Sequence, residues 1–458
     1  MRLAYYSPLP PMRSGIADYS AELLPHLAAH CEIELIVDEG FRPAAELAGG
    51  FAVHGHRALP ALLAQGRFDA VLYQLGNNRD YHAAMVRTLL QHPGVVVLHE
   101  FVLHHLVRDL TLLAGDPEAY VREMRYAYGR SGEAAARRCV ATGVPLDPWS
   151  YPLFERVVDA SRGLLVHNRF TRDRVLAGRP LARAGVVPHH LSLGGLSGLS
   201  PAAARAELGL EPGAFVVSTF GFLTAAKRPG VLLRAFAHLR REVPQARLLI
   251  VGEVSPHFDF DRVLTPELRG GVTVTGRLDL GRFLLHMQAC DVAVNLRHPT
   301  SGETSGTVIR LLGVGKPLVV SDAGAFAEIP DDCCAKVAID DAEEDLLLAY
   351  LRRLAADEPL RRRLGENARR HAEAHHSIAG SARGYADFLR RTVDSGAAPF
   401  RALPPLAPYP DEDLLADLLR EAAADLSDLG VEEADDDVLR EIAAAVVELD
   451  LDRPNPHP

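Results

Sequence analysis

Short apolar runs recur along this chain, and their spacing constrains the fold more than any other feature. In the first half they lie at residues 3–7, 33–38, 70–76, 95–99, 163–168 and 185–190, each bounded by Gly, Pro, Asp, Asn or His. In the second half they lie at 215–221, 247–252, 272–276, 292–297, 317–322 and 336–339. Continuous apolar runs of this length suit strands buried on both faces of a parallel sheet. Helical patterns fall between them, at 16–29 and 118–141, then at 229–242, 280–289, 306–314 and 341–355. Strand–helix alternation marks a doubly wound α/β domain. A chain of 458 residues exceeds one ordinary core. The expectation is an α/β chain with two Rossmann-like, doubly wound domains, 1–195 and 200–376, facing a cleft. Ligands of such sheets bind beyond the carboxyl ends of the strands.

The remaining segments read as connections. The Gly/Ser-rich stretch 191–198 fits no helical period and is the expected linker. Helical patterns at 358–375 and 377–393 follow the second set of runs, with 377–396 expected as a crossover helix. Five prolines within 397–410 predict a second linker, and 411–426 and 438–449 read as acidic amphipathic helices. Residues 397–458 are therefore expected to form a C-terminal helical extension.

Composition narrows the function. Hydrophobic residues make up 48% and charged residues 24%, which supports filled cores rather than disorder. The net charge of −11 gives no general attraction for nucleic acid, although it says nothing about one cleft. No run approaches the roughly 18–20 apolar residues of a membrane-spanning helix, and the N-terminus lacks a signal-peptide core. The reading is a cytoplasmic protein, with a peripheral contact at the inner face of the membrane left open. The five cysteines are odd in number and lack CxxC spacing, so they read as reduced and structural.

The segment 297–317, RHPTSGETSGTVIRLLGVGKP, carries the chemistry. A strand ends near Arg297, a small polar turn follows, and a helix starts near Ser305 or Gly306. A helix start offers unpaired backbone N–H groups and a positive dipole end, which suits an anion. Ser305, Gly306 and Thr307 are thus candidate anion contacts. Arg310 lies one helical turn beyond Gly306 and leans toward the helix start. Its apolar neighbours Val308, Ile309, Leu311 and Leu312 bury the helix, so Arg310 needs a partner. That partner is either a bound phosphate or an internal carboxylate such as Glu303 or Glu328.

This segment resembles the retaining glycosyltransferases of family 4, the group 1 glycosyl transferases, which have the GT-B double-Rossmann fold. Their signature is a Glu, seven residues, a second Glu, and a Gly-Lys-Pro that opens the next strand. Residues 315–322, GKPLVVSD, and the following AGAFAE match that ending. The resemblance covers about 200–395 well and the first half more loosely. Two departures stand out. The second Glu position holds Arg310 and the first holds Gly302, with Glu303 one place later. Glu303 either contacts the donor sugar or caps the helix. The family's phosphate-binding Arg position holds Phe222, whereas Lys227 matches its Lys. Lys227 is then a phosphate ligand, with a solvated turn lysine as the alternative.

In the first domain, Ser14-Gly15-Ile16 matches a loop whose Gly approaches the donor phosphates, unless Gly15 only serves a tight turn. His99 ends a strand, where the resembled family has a His near the scissile bond. His104 and His105 are alternatives to it, and His167, His189 and His190 are weaker ones. Gln74, Asn77, Asn78 and His82 suit acceptor hydroxyls, but an Asx turn explains both asparagines equally well.

The resemblance implies transfer of a hexose from a nucleotide-diphosphate sugar to a glycan or lipid-linked acceptor, with retention at the anomeric carbon. His99 and Glu303 are the catalytic candidates. Gly15, Lys227, Arg310, Ser305, Gly306 and Thr307 are the candidates for donor binding. No cofactor and no metal are expected, and Asp259 and Asp261 read as a solvated loop. The partners implied are the nucleotide-sugar donor and the acceptor, without nucleic acid. The alternatives are a catalytically lapsed nucleotide-sugar-binding protein and a nucleotide-sugar isomerase of the same fold.

Overall fold

A computed structural model describes residues 1–194, 200–256, 258–396 and 398–399. The first sheet has seven strands: β1 (Arg2–Tyr6), β2 (Glu32–Val37), β3 (Ala52–Gly55), β4 (Ala70–Leu75), β5 (Val95–Leu98), β6 (Gly163–Val166) and β7 (Ala184–Val186). Their spatial order is β3-β2-β1-β4-β5-β6-β7, and every pairing is parallel. The second sheet contains β8 (Phe215–Phe220), β9 (Ala246–Val251), β10 (Val272–Val274), β11 (Val292–Asn295), β12 (Leu318–Ser321) and β13 (Cys334–Val337). It runs β10-β9-β8-β11-β12-β13, also parallel throughout.

The apolar runs behave as two-sided burial requires. All four residues of β5, β6, β11 and β12 are buried. Fully burying a Val or Leu side chain is worth roughly 1.5–3 kcal/mol, so these runs fix the sheet centres. β3 has no counterpart among the expected strands. It lies on the sheet edge with Ala52 exposed and the rest half-buried, so it leaves no continuous apolar run. The helices Pro229–Glu242, Leu280–Ala289, Gly306–Val314 and Glu358–His375 occupy the expected spans.

Both sheets belong to one compact unit, formed by residues 1–106 together with the described residues from 148 onward, which carry β6, β7 and the second sheet. The helix Ile378–Asp394, capped by Ser377, returns to the first sheet. Its Ala382, Tyr385, Ala386 and Leu389 join the core around β1 and β2, and Tyr385 Oη lies 2.9 Å from Tyr19 Oη. Residues 107–147 belong to a separate unit. There the helix Pro117–Thr142, capped by Asp116, is interrupted at Tyr128–Gly129. Among the described residues no helix is long and apolar enough to cross a membrane.

Within the expected linker, Leu191 N donates to His376 O. The rest of that linker from residue 195 lies outside the described residues, as do the expected acidic helices of the extension. All five cysteines are free and buried.

Candidate functional site

The carboxyl ends of the two sheets border a cleft of about 1280 Å³. On the second-sheet side, the helix Gly306–Val314 opens into it with Gly306 and Thr307. The Ser305 side chain accepts from Val308 N at 3.3 Å. That cap leaves the N–H groups of Gly306 and Thr307 without intrahelical acceptors, as at any helix start. Glu303 is not the cap. Its Oε2 accepts from Ser301 N at 2.9 Å and from Thr300 Oγ1 at 3.3 Å, while Oε1 lies 3.2 Å from Arg297 Nε. The carboxylate thus braces the preceding turn while lining the cleft.

Lys227 reaches back beneath this helix start. Its Nζ donates to Phe220 O at 2.5 Å and lies next to Gly221, which Thr307 also approaches. Burial, and secondarily the Arg297 guanidinium, hold its ammonium pKa down at about 7. Lys227 is thus only partly solvated, and its contact is a backbone carbonyl at the end of β8. Phe222, by contrast, is 51% exposed and offers no charge.

Arg310 leans toward the helix start, as its position implies, and lines the cleft. Its ion partner is neither Glu303 nor Glu328. Nη2 donates to Glu22 Oε1 at 2.7 Å, and Nε donates to Ser192 O at 3.1 Å. The other oxygen of Glu22 lies 3.0 Å from His190 Nε2. Glu22 comes from the helix Gly15–Leu27 of the first sheet, so this pair ties the two halves together. Glu328 instead accepts from the backbone N–H groups of Arg169 and Phe170.

On the first-sheet side, Gly15 starts its helix and lines the cleft, with Ser14 capping Ile16 N. A Cβ at Gly15 would meet nothing within 4 Å, so protein packing does not demand glycine there. His99 also faces the cleft, and its Nε2 is 2.8 Å from Gln74 Oε1. The amide oxygen only accepts, so Nε2 carries the proton and Nδ1 is left as an acceptor. Burial, then the neighbouring His167, keeps His99 neutral by pushing its pKa well down. His99, His167, His189 and His190 all pack around the Tyr19 ring, with centroids 4.4–5.1 Å away.

His104 instead bonds Tyr151 O through Nδ1. Asn78 caps the helix Arg79–Gln91 by accepting from Asp80 N, which is the structural alternative for that residue. Asp259 is exposed and caps a short helix by accepting from Arg262 N.

Among the charged residues of the cleft that escaped the sequence reading, Glu100 and Arg297 stand at strand ends. Glu100 directly follows His99 at the end of β5 and accepts from Asn77 N at 3.2 Å. Arg297 follows β11 and is anchored by its own N–H donating to Ser321 Oγ at 2.8 Å. The available signal was the same for both: a charged residue closing an apolar run, where a parallel sheet presents side chains to its ligand.

Burial, then the charge of Glu303, raises the Glu100 pKa to about 7. The folded protein therefore holds its proton between the ordinary carboxylate range and pH 7, whereas the unfolded chain has lost it. Stability from this group is present at low pH and falls as pH rises through that window. Glu100→Gln should flatten that fall by on the order of 2 kcal/mol, because one pKa unit is about 1.4 kcal/mol. Unfolding titrations at pH 5 and pH 8 check this, and an unchanged difference would contradict the assignment.

Residues 202–371 match the glycosyl transferases group 1 family. The chain is 31% identical over 231 residues to a D-inositol 3-phosphate glycosyltransferase of Segniliparus rotundus, covering 48% of this chain and 49% of that protein. The Nocardia farcinica protein of the same name is 30% identical over 252 residues, covering 52% and 55%. The chain thus spans about half the length of the curated relatives it matches.

Among solved structures, sucrose-phosphate synthase from Thermosynechococcus elongatus superposes with a TM-score of 0.61 at 16% identity, covering 86% of this chain and all of that one. Anabaena HepE in complex with UDP gives 0.61 at 14% identity, covering 85% and 100%. The fold is GT-B.

Proposed function

We propose that this chain is a retaining glycosyltransferase that moves a hexose from a nucleoside-diphosphate sugar to a glycan or lipid-linked acceptor. The observation that carries the reading is the convergence of the open Gly306–Thr307 helix start, Glu303 and Gly221 on one wall of a cleft, with the Lys227 ammonium directly behind Gly221. Neutral His99 and Glu100 line the wall of the first sheet. The match of residues 202–371 to group 1 glycosyl transferases supports the same reaction class.

In this reading the leaving diphosphate rests on the helix N–H groups and Lys227, where preorganised donors stabilise the charge that develops as the glycosidic bond breaks. His99 and Glu303 contact the donor sugar. The acceptor hydroxyl approaches from the first-sheet side near Asn77 and Trp149, and the departing phosphate takes its proton on the same face. Orientation and charge stabilisation carry the rate, so the proposal requires no metal.

A thermal-shift panel of UDP, GDP, ADP and their sugar conjugates tests the reading, with UDP first because HepE was solved with it. One nucleotide family should stabilise the chain selectively through binding linkage, with the same shift in EDTA. The conjugate that binds should be turned over to a product with the donor's anomeric configuration by NMR. No shift from any member would refute the proposal, and an inverted product would refute retention.

A further inference from the structure

One corner of the cleft holds more positive charge than its surroundings neutralise. Arg297 has only 16% of its side chain exposed. Its one ion partner among the described residues is Glu303, and Nε, 3.2 Å from that carboxylate, lacks the alignment of a hydrogen bond. The same carboxylate is already shared with Ser301 N and Thr300 Oγ1. Lys227, with its carbonyl bond to Phe220 but no carboxylate of its own, feels both the Arg297 charge and that of Glu303. Glu100, the other acid near Arg297, is held largely protonated below pH 7 by its burial and by Glu303. Two partly buried basic groups therefore face one divided carboxylate, beside helix N–H groups that add further positive potential. Arg310 does not enlarge this cluster, because Glu22 neutralises it.

We propose that Arg297 is a donor-binding residue, gripping the diphosphate of the nucleotide together with Lys227. This rests on the glycosyltransferase reading above. A diphosphate brings the anionic charge this corner lacks, and a planar guanidinium suits two phosphate oxygens at once. Its arrival offsets the burial and the Arg297 repulsion that together hold the Lys227 pKa down. Binding therefore draws a proton onto Lys227, which a purely structural arginine would not cause.

Calorimetry at pH 8, in two buffers of different ionisation enthalpy, tests this with UDP, GDP and ADP. At that pH the free nucleotides are fully ionised and most Lys227 is neutral. The wild-type protein should take up a proton, approaching one per bound nucleotide. Lys227→Met should abolish the uptake. Arg297→Gln should weaken binding by roughly 10- to 100-fold and reduce the uptake, whereas Arg297→Lys should recover part of the affinity. Thermal unfolding of each variant without nucleotide separates a folding defect from lost binding.

If no nucleotide binds the wild type, the glycosyltransferase reading fails and this proposal with it. If the wild type binds, but a folded Arg297→Gln binds within threefold of it or the wild type takes up no proton, the Arg297 assignment alone is overturned.

Discussion

Lys227→Met is expected to lower donor turnover by about 10²- to 10³-fold, the usual loss when one preorganised electrostatic donor is removed from a reacting site. The reason lies in where the ammonium sits. Lys227 is held against Phe220 O, beside Gly221 and next to the first turn of the helix that begins at Gly306. Its Nζ is partly withdrawn from water and held by a backbone carbonyl, so solvent replaces it poorly.

The fold should survive the change. Its ammonium pKa of about 7 indicates that charging this group in the folded state is unfavourable. Removing it therefore relieves a partly desolvated cation. The expected signature is a melting temperature at or above that of wild type with kcat strongly reduced. A kcat within threefold of wild type would remove Lys227 from the machinery.

The second large effect is on stability. Gly302→Ala should cost about 3 kcal/mol. Gly302 has φ of 78°, a left-handed conformation that costs roughly 1–2 kcal/mol with a side chain. A Cβ there would overlap Thr171 Oγ1 and sit 2.5 Å from Phe101 Cδ1. Overpacking of this kind costs a further 1–3 kcal/mol.

The neighbours cannot easily withdraw. Thr171 Oγ1 and Asn168 Nδ2 both donate to Gly302 O, at 2.7 and 2.8 Å, and Phe101 N donates to Ser301 O at 2.9 Å. These bonds dock the Glu303 turn of the second sheet onto the first. Chemical denaturation measures the loss directly, and activity should fall with it as Glu303 shifts. A variant as stable as wild type would show that the turn is free to move, contrary to this docking.

The sequence by itself determined the two parallel sheets, the helix start at Gly306 and the Gly315-Lys316-Pro317 exit. Those features are local. A continuous apolar run reports burial on both faces of its own strand, and a capping serine reports its own helix. Even so, Lys316 within that exit proves structural, buried and donating to Gln288 O.

Tertiary structure decided the partnerships. Arg310 meets Glu22, 288 positions away, because the helix carrying each faces the same cleft from opposite sheets. Spacing along the chain narrowed its partner to a phosphate or a nearby acid such as Glu303 or Glu328, and neither acid is the partner. The gathering of His99, His167, His189 and His190 around Tyr19 follows likewise from the sheet order and from the return of the segment after β7, not from any motif. Charge balance in the corner of Arg297, Lys227 and Glu303 depends on distances between the ends of β8 and β11. Those strands are neighbours in the sheet but separated in sequence by β9 and β10. Periodicity tells which face a residue occupies, and only the packed sheet tells what that face meets.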